Sequence, residues 1–477
     1  MQACVNLSPD RRGDCGISIS VAHSRRPERR QIHHWRIKGP IFIAVGRFKI
    51  GGMKQALFIN LALIAILVSA AIISAVVAAF VDPTSSFFAV VGSMVWATFG
   101  RSLLLVTLLA CLIGIAVRLN DMKRLAGLVL TLSTTGLAGS VYILAQIYFA
   151  GIAAGGEINL PAAFLLDDMQ QPAPDLMETL DTADGVDLRA AIYLPPPMLV
   201  PAPVIVYIHG GGFMAGTHTE TAADLRWCAD KGWLVISVEY RLFGPDRPTW
   251  GAAPEDVRCA LVWTSAHAAS FGGDPTRLAL LGDSAGGNLA INAGFAAAVG
   301  GTTSRCGPDV PVPIAIAVQY PAVDPTSIYN DVFAIPGSEP RMLIEGYIGA
   351  SPDQYPARLA AVSSATFLTR VAPPTLIILT QKDSLVVASG TLAFVQDAKA
   401  AGVDIELVQI PFANQIFNQV AANSLGNQIG RTVHLRFLAD HLRWPGRDLP
   451  LVLRRISCSQ RRCQLACEDQ HCVAFVG

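Results

Sequence analysis

His209-Gly210-Gly211-Gly212-Phe213 and, further along the chain, Gly282-Asp283-Ser284-Ala285-Gly286-Gly287 are the two stretches on which the reading turns. The second places a serine between glycines, after a β-type run (Leu278–Leu281) and before a helix former (Ala285–Ala298). A serine on a tight strand-to-helix turn projects its hydroxyl above the sheet, and the glycines leave nothing to obstruct a substrate. A serine hydroxyl is a poor nucleophile at neutral pH. It needs a base, a group that orients the base, and donors for the developing oxyanion. The glycine loop at 209–213 can supply such donors, because glycine lets the backbone approach closely and turn its N–H groups inward.

Working outward, strands and helices alternate from about Met177. Glu178–Thr182 and Val186–Leu194 flank the turn pair Asp184-Gly185 and predict a hairpin. Further strands are predicted at Pro203–Ile208, Leu234–Glu239, Ile314–Gln319, Thr375–Thr380 and Ile405–Ile410. Helices are predicted at Ala253–Ala266, Leu392–Ala401 and Ile429–Leu442. Strands separated by helices of this length imply an α/β fold with a doubly wound, mostly parallel sheet.

The pairing of the His-Gly-Gly-Gly loop with Gly-Asp-Ser-Ala-Gly-Gly resembles the hormone-sensitive-lipase-like α/β-hydrolases, a group of esterases and lipases. Val235 to Leu242 and Ala253-Pro254-Glu255-Asp256-Val257 are also similar to that group, and the resemblance covers roughly 177–443. It implies Ser284 as nucleophile, with oxyanion donors from Gly211, Gly212 and Ala285, and with His209 orienting the loop. Asp383, after the strand Thr375–Thr380, stands where the group places its acid. The group's pattern puts a histidine where this chain has Gln415, within Ile410-Pro411-Phe412-Ala413-Asn414-Gln415-Ile416-Phe417. Glutamine accepts no proton at neutral pH, although its amide can hydrogen-bond Asp383 or Ser284. His218, His267, His434 and His441 read as surface or packing residues rather than substitutes.

The 477 residues are 52% hydrophobic and only 15% charged, against about 25% charged in ordinary soluble chains. The deficit lies in three apolar runs, about 57–81, 97–117 and 125–150, each long enough to span a bilayer. Residues 1–52 form a basic tail without sustained periodicity, predicted to be disordered. Such a tail ahead of an apolar segment faces the cytoplasm rather than nucleic acid. Met53 opens a stretch that reads like a natural start before a membrane segment. Arg118, Lys123 and Arg124 place the second loop inside as well, so three spans leave the catalytic domain extracytoplasmic. Residues 53–152 thus read as the membrane region, 153–176 as a linker, 177–446 as the α/β domain and 447–477 as a disordered tail. The resemblance implies an N-terminal cap over the acyl pocket; here the three spans and the linker Glu157–Pro174 occupy that place, and the segment Asp324–Pro356 is expected to form the remaining part of the lid.

Of the ten cysteines, Cys111, Cys228, Cys259 and Cys306 read as small buried apolar residues. Cys458, Cys463, Cys467 and Cys472 match no zinc spacing and could form two disulfides in an oxidising compartment, or belong to a disordered tail. The function expected is a membrane-anchored carboxylic-ester hydrolase working through an acyl-enzyme, impaired by Gln415. The alternative is a non-catalytic ligand-binding protein on the same scaffold. The partners implied are a small or lipid-like ester and membrane lipid. No metal or nucleotide cofactor is implied.

Overall fold

A computed structural model describes residues 50–164, 171–330 and 339–442. The basic tail before residue 50, the C-terminal cysteines, Asp167, Asp168 and the middle of the expected lid lie outside the described residues. The chain divides into units at Lys54/Gln55, and every contact below lies within the second.

Three long helices come first: α1 (Ile50–Phe80), α2 (Phe87–Leu119) and α3 (Lys123–Ala153). All three are long and apolar enough to cross a membrane. Their start and end points extend the apolar runs, because a helix continues until its capping signals appear. Ser86 caps α2, its side chain accepting from the Ala89 N–H. At 1.5 Å per residue, the 33 residues of α2 make a rod about 50 Å long, well beyond a ~30 Å hydrocarbon core. The start of α2 packs on the following domain: Trp96 and Ala97 share a core with Ile72, Ala79, Ile143 and Ile147 and with Phe417, Ile429 and Val433 of that domain. At the far end, Ala62, Ala65, Ala110, Val117, Ala126 and Val129 form a separate small core. The turn after Phe80 therefore lies at the domain end, and the basic loop at Arg118–Arg124 lies at the opposite end. Where α1 meets α2 the approach is close: a Cβ on Gly92 would come within 2.3 Å of the Ala78 Cβ. Small residues at such crossings are typical of helices packing in lipid.

A short helix, α4 (Leu160–Phe164), leads to the domain. The domain is built on β1 (Leu176–Ala183), β2 (Val186–Tyr193), β3 (Ala202–Ile208), β4 (Leu234–Val238), β5 (Gly273–Asp283), β6 (Ile316–Gln319), β7 (Thr375–Thr380) and β8 (Ile405–Ile410). They form one sheet in the order β1-β2-β4-β3-β5-β6-β7-β8. β1 and β2 pair antiparallel, as do β2 and β4, and the remaining pairs are parallel. β3 is buried throughout, which is why its sequence is a continuous apolar run rather than an alternating one.

Helices cover both faces. On one lie α6 (Ala252–His267), α7 (Ser284–Val299) and α11 (Ala388–Ala400), with the short helices α8 (Pro325–Asn330), α9 (Pro340–Ile348) and α10 (Pro356–Val362). On the other lie α5 (Ala222–Asp230), α12 (Leu425–Asp440) and the domain ends of α1 to α3. α5, α8, α9 and α10 were not foreseen, being short and weakly periodic. The expected lid segment contributes α8 and α9.

One expectation is corrected. Cys259 and Cys306 are not two separate buried apolar residues but a disulfide, joining α6 to the loop after α7 across a sequence separation of 47. Nothing in their local sequence brings them together; the packing of α6 beside that loop does. Cys111 and Cys228 are free, and Cys228 is buried as expected. A bridge closing a loop of this size stabilises by about 2–4 kcal/mol. Cys306→Ser is therefore expected to lower the melting temperature, and mass analysis after alkylation without reductant should find both wild-type thiols blocked from reagent.

Candidate active site

The site forms at the carboxyl ends of the parallel strands, where ligands bind in open α/β sheets. β5 runs into α7 without a loop, so Ser284 must turn the chain by itself. Its φ of 51° lies in the left-handed region, a strained conformation for a residue with a side chain. The turn is tight because glycines allow it. A Cβ on Gly286 would sit 2.1 Å from the Ile208 carbonyl oxygen, and one on Gly282 would sit 2.7 Å from the Gly286 carbonyl oxygen.

The glycine loop follows β3 and lies beside this turn. Gly211 and Gly212 adopt φ of 102° and 60°. Among the described residues, neither of their N–H groups is taken by a backbone acceptor outside regular structure. His209 is buried, with Nδ1 2.8 Å from the Gly210 carbonyl oxygen and its ring stacked on Tyr240 at 4.4 Å. The Tyr240 hydroxyl donates to the carbonyls of His209 and Gly210 at 3.0 and 3.1 Å. Burial pushes the His209 imidazole down to about 4. His209 is thus a neutral ring bracing the loop.

Asp383 follows β7 and Gln415 follows β8. The Asp383 carboxylate accepts from the N–H groups of Leu385 and Val386 at 2.9 and 2.8 Å and from the Thr380 hydroxyl at 2.9 Å. Gln415 stands between it and the serine. With its oxygen toward Ser284, the amide accepts from the Ser284 hydroxyl at 2.7 Å, and its nitrogen donates to Asp383 Oδ1 at 2.8 Å. The reverse orientation also reaches Ser284 Oγ at 2.7 Å but turns the amide oxygen toward a carboxylate, so acceptor faces acceptor. Gln415 reproduces the two hydrogen bonds of a neutral imidazole and lacks only its basicity. The structure thus brings Ser284, Asp383 and Gln415 together beside the glycine loop.

The other histidines are occupied elsewhere. His218 pairs with Glu239 at 2.5 Å. His267 and His441 bond the carbonyls of Trp263 and Phe437 in their own helices. His434 lines a small polar cavity with Tyr207, Asp224 and Asp283. Asp283, beside the serine, is fixed by Tyr207, Gln319 and Gln419 at 2.7, 2.7 and 2.8 Å, and burial raises its pKa. Sequence reasoning missed this cluster and also Asn414, which lies between the two site loops. Its position next to Gln415 was the available signal, but its contacts are tertiary.

Against Ser284 lies an apolar cavity of about 20 Å³, room for roughly one water. Its lining includes Gly212, Ile328, Leu343, Ile344 and Val386. α8 and α9 therefore close over the serine.

The buried His434 supplies a pH test. Burial lowers its pKa to about 4, while an unfolded histidine titrates near ~6.5. Between these values the unfolded chain binds the extra proton, so this residue's contribution falls as pH drops from 6.5 toward 4, by up to about 3 kcal/mol. His434→Gln is expected to flatten the acid-side fall of the melting temperature over that window. An unchanged slope would contradict the assignment of a neutral, buried ring.

In sequence the chain is similar to known esterases and lipases. A family model described as BD-FAE matches residues 190–397. Carboxylesterase NlhH of Mycobacterium tuberculosis is 43% identical over 123 residues, 25% of this chain and 37% of that protein. Esterase LipC of the same organism is 27% identical over 240 residues, 49% of this chain and 57% of that protein. Hormone-sensitive lipase of Bos taurus is 37% identical over 120 residues, 25% of this chain and 15% of that protein. This chain thus spans less than two-thirds of the length of each of these relatives. Among solved structures, Thermogutta terrifontis esterase 2 superposes with a TM-score of 0.47 at 22% identity, over 57% of this chain and 96% of that one. Sheet order, glycine loop and serine turn give this chain an α/β-hydrolase fold, and in sequence it is similar to esterases and lipases of the hormone-sensitive-lipase-like group.

Proposed function

We propose that the chain is a membrane-anchored carboxylic-ester hydrolase in form, with Ser284 as nucleophile, Asp383 as acid and turnover suppressed by Gln415. The observation that carries this reading is the amide of Gln415 bridging Ser284 and Asp383. In a complete site, the serine oxygen would attack the acyl carbonyl as the base took its proton, and the N–H groups of Gly211, Gly212 and Ala285 would receive the oxyanion. Glutamine keeps the serine oriented but cannot take that proton. Loss of one member of such a set costs about 10⁴-fold or more in turnover, with a residual rate from the oxyanion donors. The confined cavity beside Ser284 favours a short acyl group.

The same amide supports a second reading, a ligand-binding protein. A serine and an acid locked by a neutral bridge make a polar floor that can hold a carboxylate or ester carbonyl against the glycine loop.

The membrane reading rests on three apolar helical stretches, Lys54–Phe80, Phe87–Leu119 and Lys123–Ala153, of 27, 33 and 31 residues. The basic loop at the end remote from the domain favours an extracytoplasmic domain. The Cys259–Cys306 bridge favours it independently, because structural disulfides persist in oxidising compartments.

Two experiments test these proposals. In the full-length protein, hydrolysis of a short-chain aryl ester is expected to be indistinguishable between wild type and Ser284→Ala, and to rise by about 10²-fold or more in Gln415→His. Ordinary wild-type turnover that is lost in Ser284→Ala would mean another base is at work. For topology, a protease site placed at the exposed turn Gly300–Gly301 should be cut by protease added outside intact cells. Protection there would invert the orientation.

A further inference from the structure

The loops that carry Asp383 and Gln415 rest on the membrane helices. Asn414 is the junction. Its side-chain oxygen accepts from the N–H groups of Ser384 at 3.0 Å and Gln415 at 2.6 Å. Its nitrogen donates to the Ser384 hydroxyl at 3.0 Å and to the Ser93 hydroxyl of α2 at 2.6 Å. One buried amide therefore joins the acid loop, the Gln415 loop and a membrane helix.

Other contacts repeat the connection. The Thr98 hydroxyl of α2 donates to the Phe417 carbonyl at 3.3 Å. Lys382, next to the acid, donates to the carbonyls of Phe80 and Val81 at the end of α1, at 3.3 and 3.1 Å. Phe412 meets Phe80 and Tyr142 edge-on, with centroids 5.0 and 6.2 Å away. The loop so held is strained. Phe412 and Ile416, on either side of Gln415, have φ of 55° and 56°. Such conformations persist where the surroundings over-determine them, and here much of the surroundings is α1, α2 and α3.

We propose that the membrane helices form a working wall of the active site, with Asn414 and Ser93 as positioning residues that hold Asp383 and Gln415 in register with Ser284. This rests on the reading of those three residues as the site. Removing the Ser93 hydroxyl leaves a buried N–H of Asn414 without that acceptor, and a buried donor so treated is costly. Reorientation of Asn414 then frees the Gln415 N–H and releases the loop, with the sheet left in place.

The test uses the full-length protein in lipid nanodiscs, comparing wild type, Ser93→Ala, Ser93→Thr and Ser140→Ala. Ser140 is a buried α3 serine whose hydroxyl bonds only the Gly136 carbonyl of its own helix, and it serves as the control. Amide exchange in segments 381–387 and 411–417 is expected to accelerate about tenfold or more in Ser93→Ala, with β3 and β5 unchanged. Ser93→Thr, which keeps the hydroxyl, should restore protection, and Ser140→Ala should match wild type. Unchanged exchange in Ser93→Ala would overturn the proposal, as would acceleration spread evenly over the domain. The same substitutions in a Gln415→His background separate the two readings. There Ser93→Ala is expected to lower kcat by about tenfold or more with KM nearly constant, since misplacement of reacting groups costs rate rather than affinity. An active Gln415→His chain whose kcat ignores Ser93→Ala would refute positioning. A Gln415→His chain with no activity would sink the hydrolase reading, and the exchange result alone would then decide whether the wall holds these loops.

Discussion

At Gly286 the first turn of α7 lies against the end of β3 so closely that no side chain fits between the two backbones. The contact is made of peptide groups, and it fixes three things together. It sets the angle at which β5 passes into α7. It forces Ser284 into its left-handed conformation. It also brings the glycine loop, which continues from β3, alongside the serine. Ser284 and the glycine loop are therefore positioned by one steric constraint, and neither depends on the long side chains of Asp383 and Gln415. This is why a chain with Gln415 in the base position can keep a well-formed serine turn.

The acid and base positions are held in another way. Asp383 and Gln415 sit on loops after β7 and β8, toward the edge of the sheet, where backbone packing is looser and side-chain hydrogen bonds take over. Gln415 fits because an amide and a neutral imidazole have the same polarity pattern, an acceptor toward the serine and a donor toward the carboxylate. The amide matches the ring in shape and hydrogen bonding but not in proton affinity. In the buried site the amide satisfies both neighbours, so the substitution leaves no unpaired polar group to unsettle the fold.

Much of this was legible in the sequence, because the informative features are local. Glycines around Ser284 report the tight turn directly. The continuous apolar runs of β3 and β5 report a sheet covered on both faces, and β7 and β8 were placed to the residue. Gln415 was visible because it follows the strand after Asp383 and stands two residues before Phe417, where the resemblance puts a histidine. What the sequence did not show depends on contacts between distant segments. The Cys259–Cys306 bridge follows from the packing of α6 beside the loop after α7. The role of Asn414 follows from the approach of α2. The packing of the start of α2 on the domain was hidden because an apolar stretch that packs on protein has the same composition as one suited to lipid. Short helices such as α8 and α9 were missed because a single turn or two shows no clear period.

The contact between Ser93 and Asn414 spans 321 residues, nearly the whole length of the described chain. It joins the second apolar helix to the loop that follows the eighth strand of the sheet. Long-range pairings of this kind form slowly, because loop-closure entropy must be overcome before the contact returns any energy. The serine turn and glycine loop can assemble as soon as β3 to β5 are available. The loops of Asp383 and Gln415 wait for β7 and β8 to return to α1 and α2. On this ground the contacts of Asn414 are expected to form later than the serine turn, so the part of the site that rests on distant segments is the part completed after the local one.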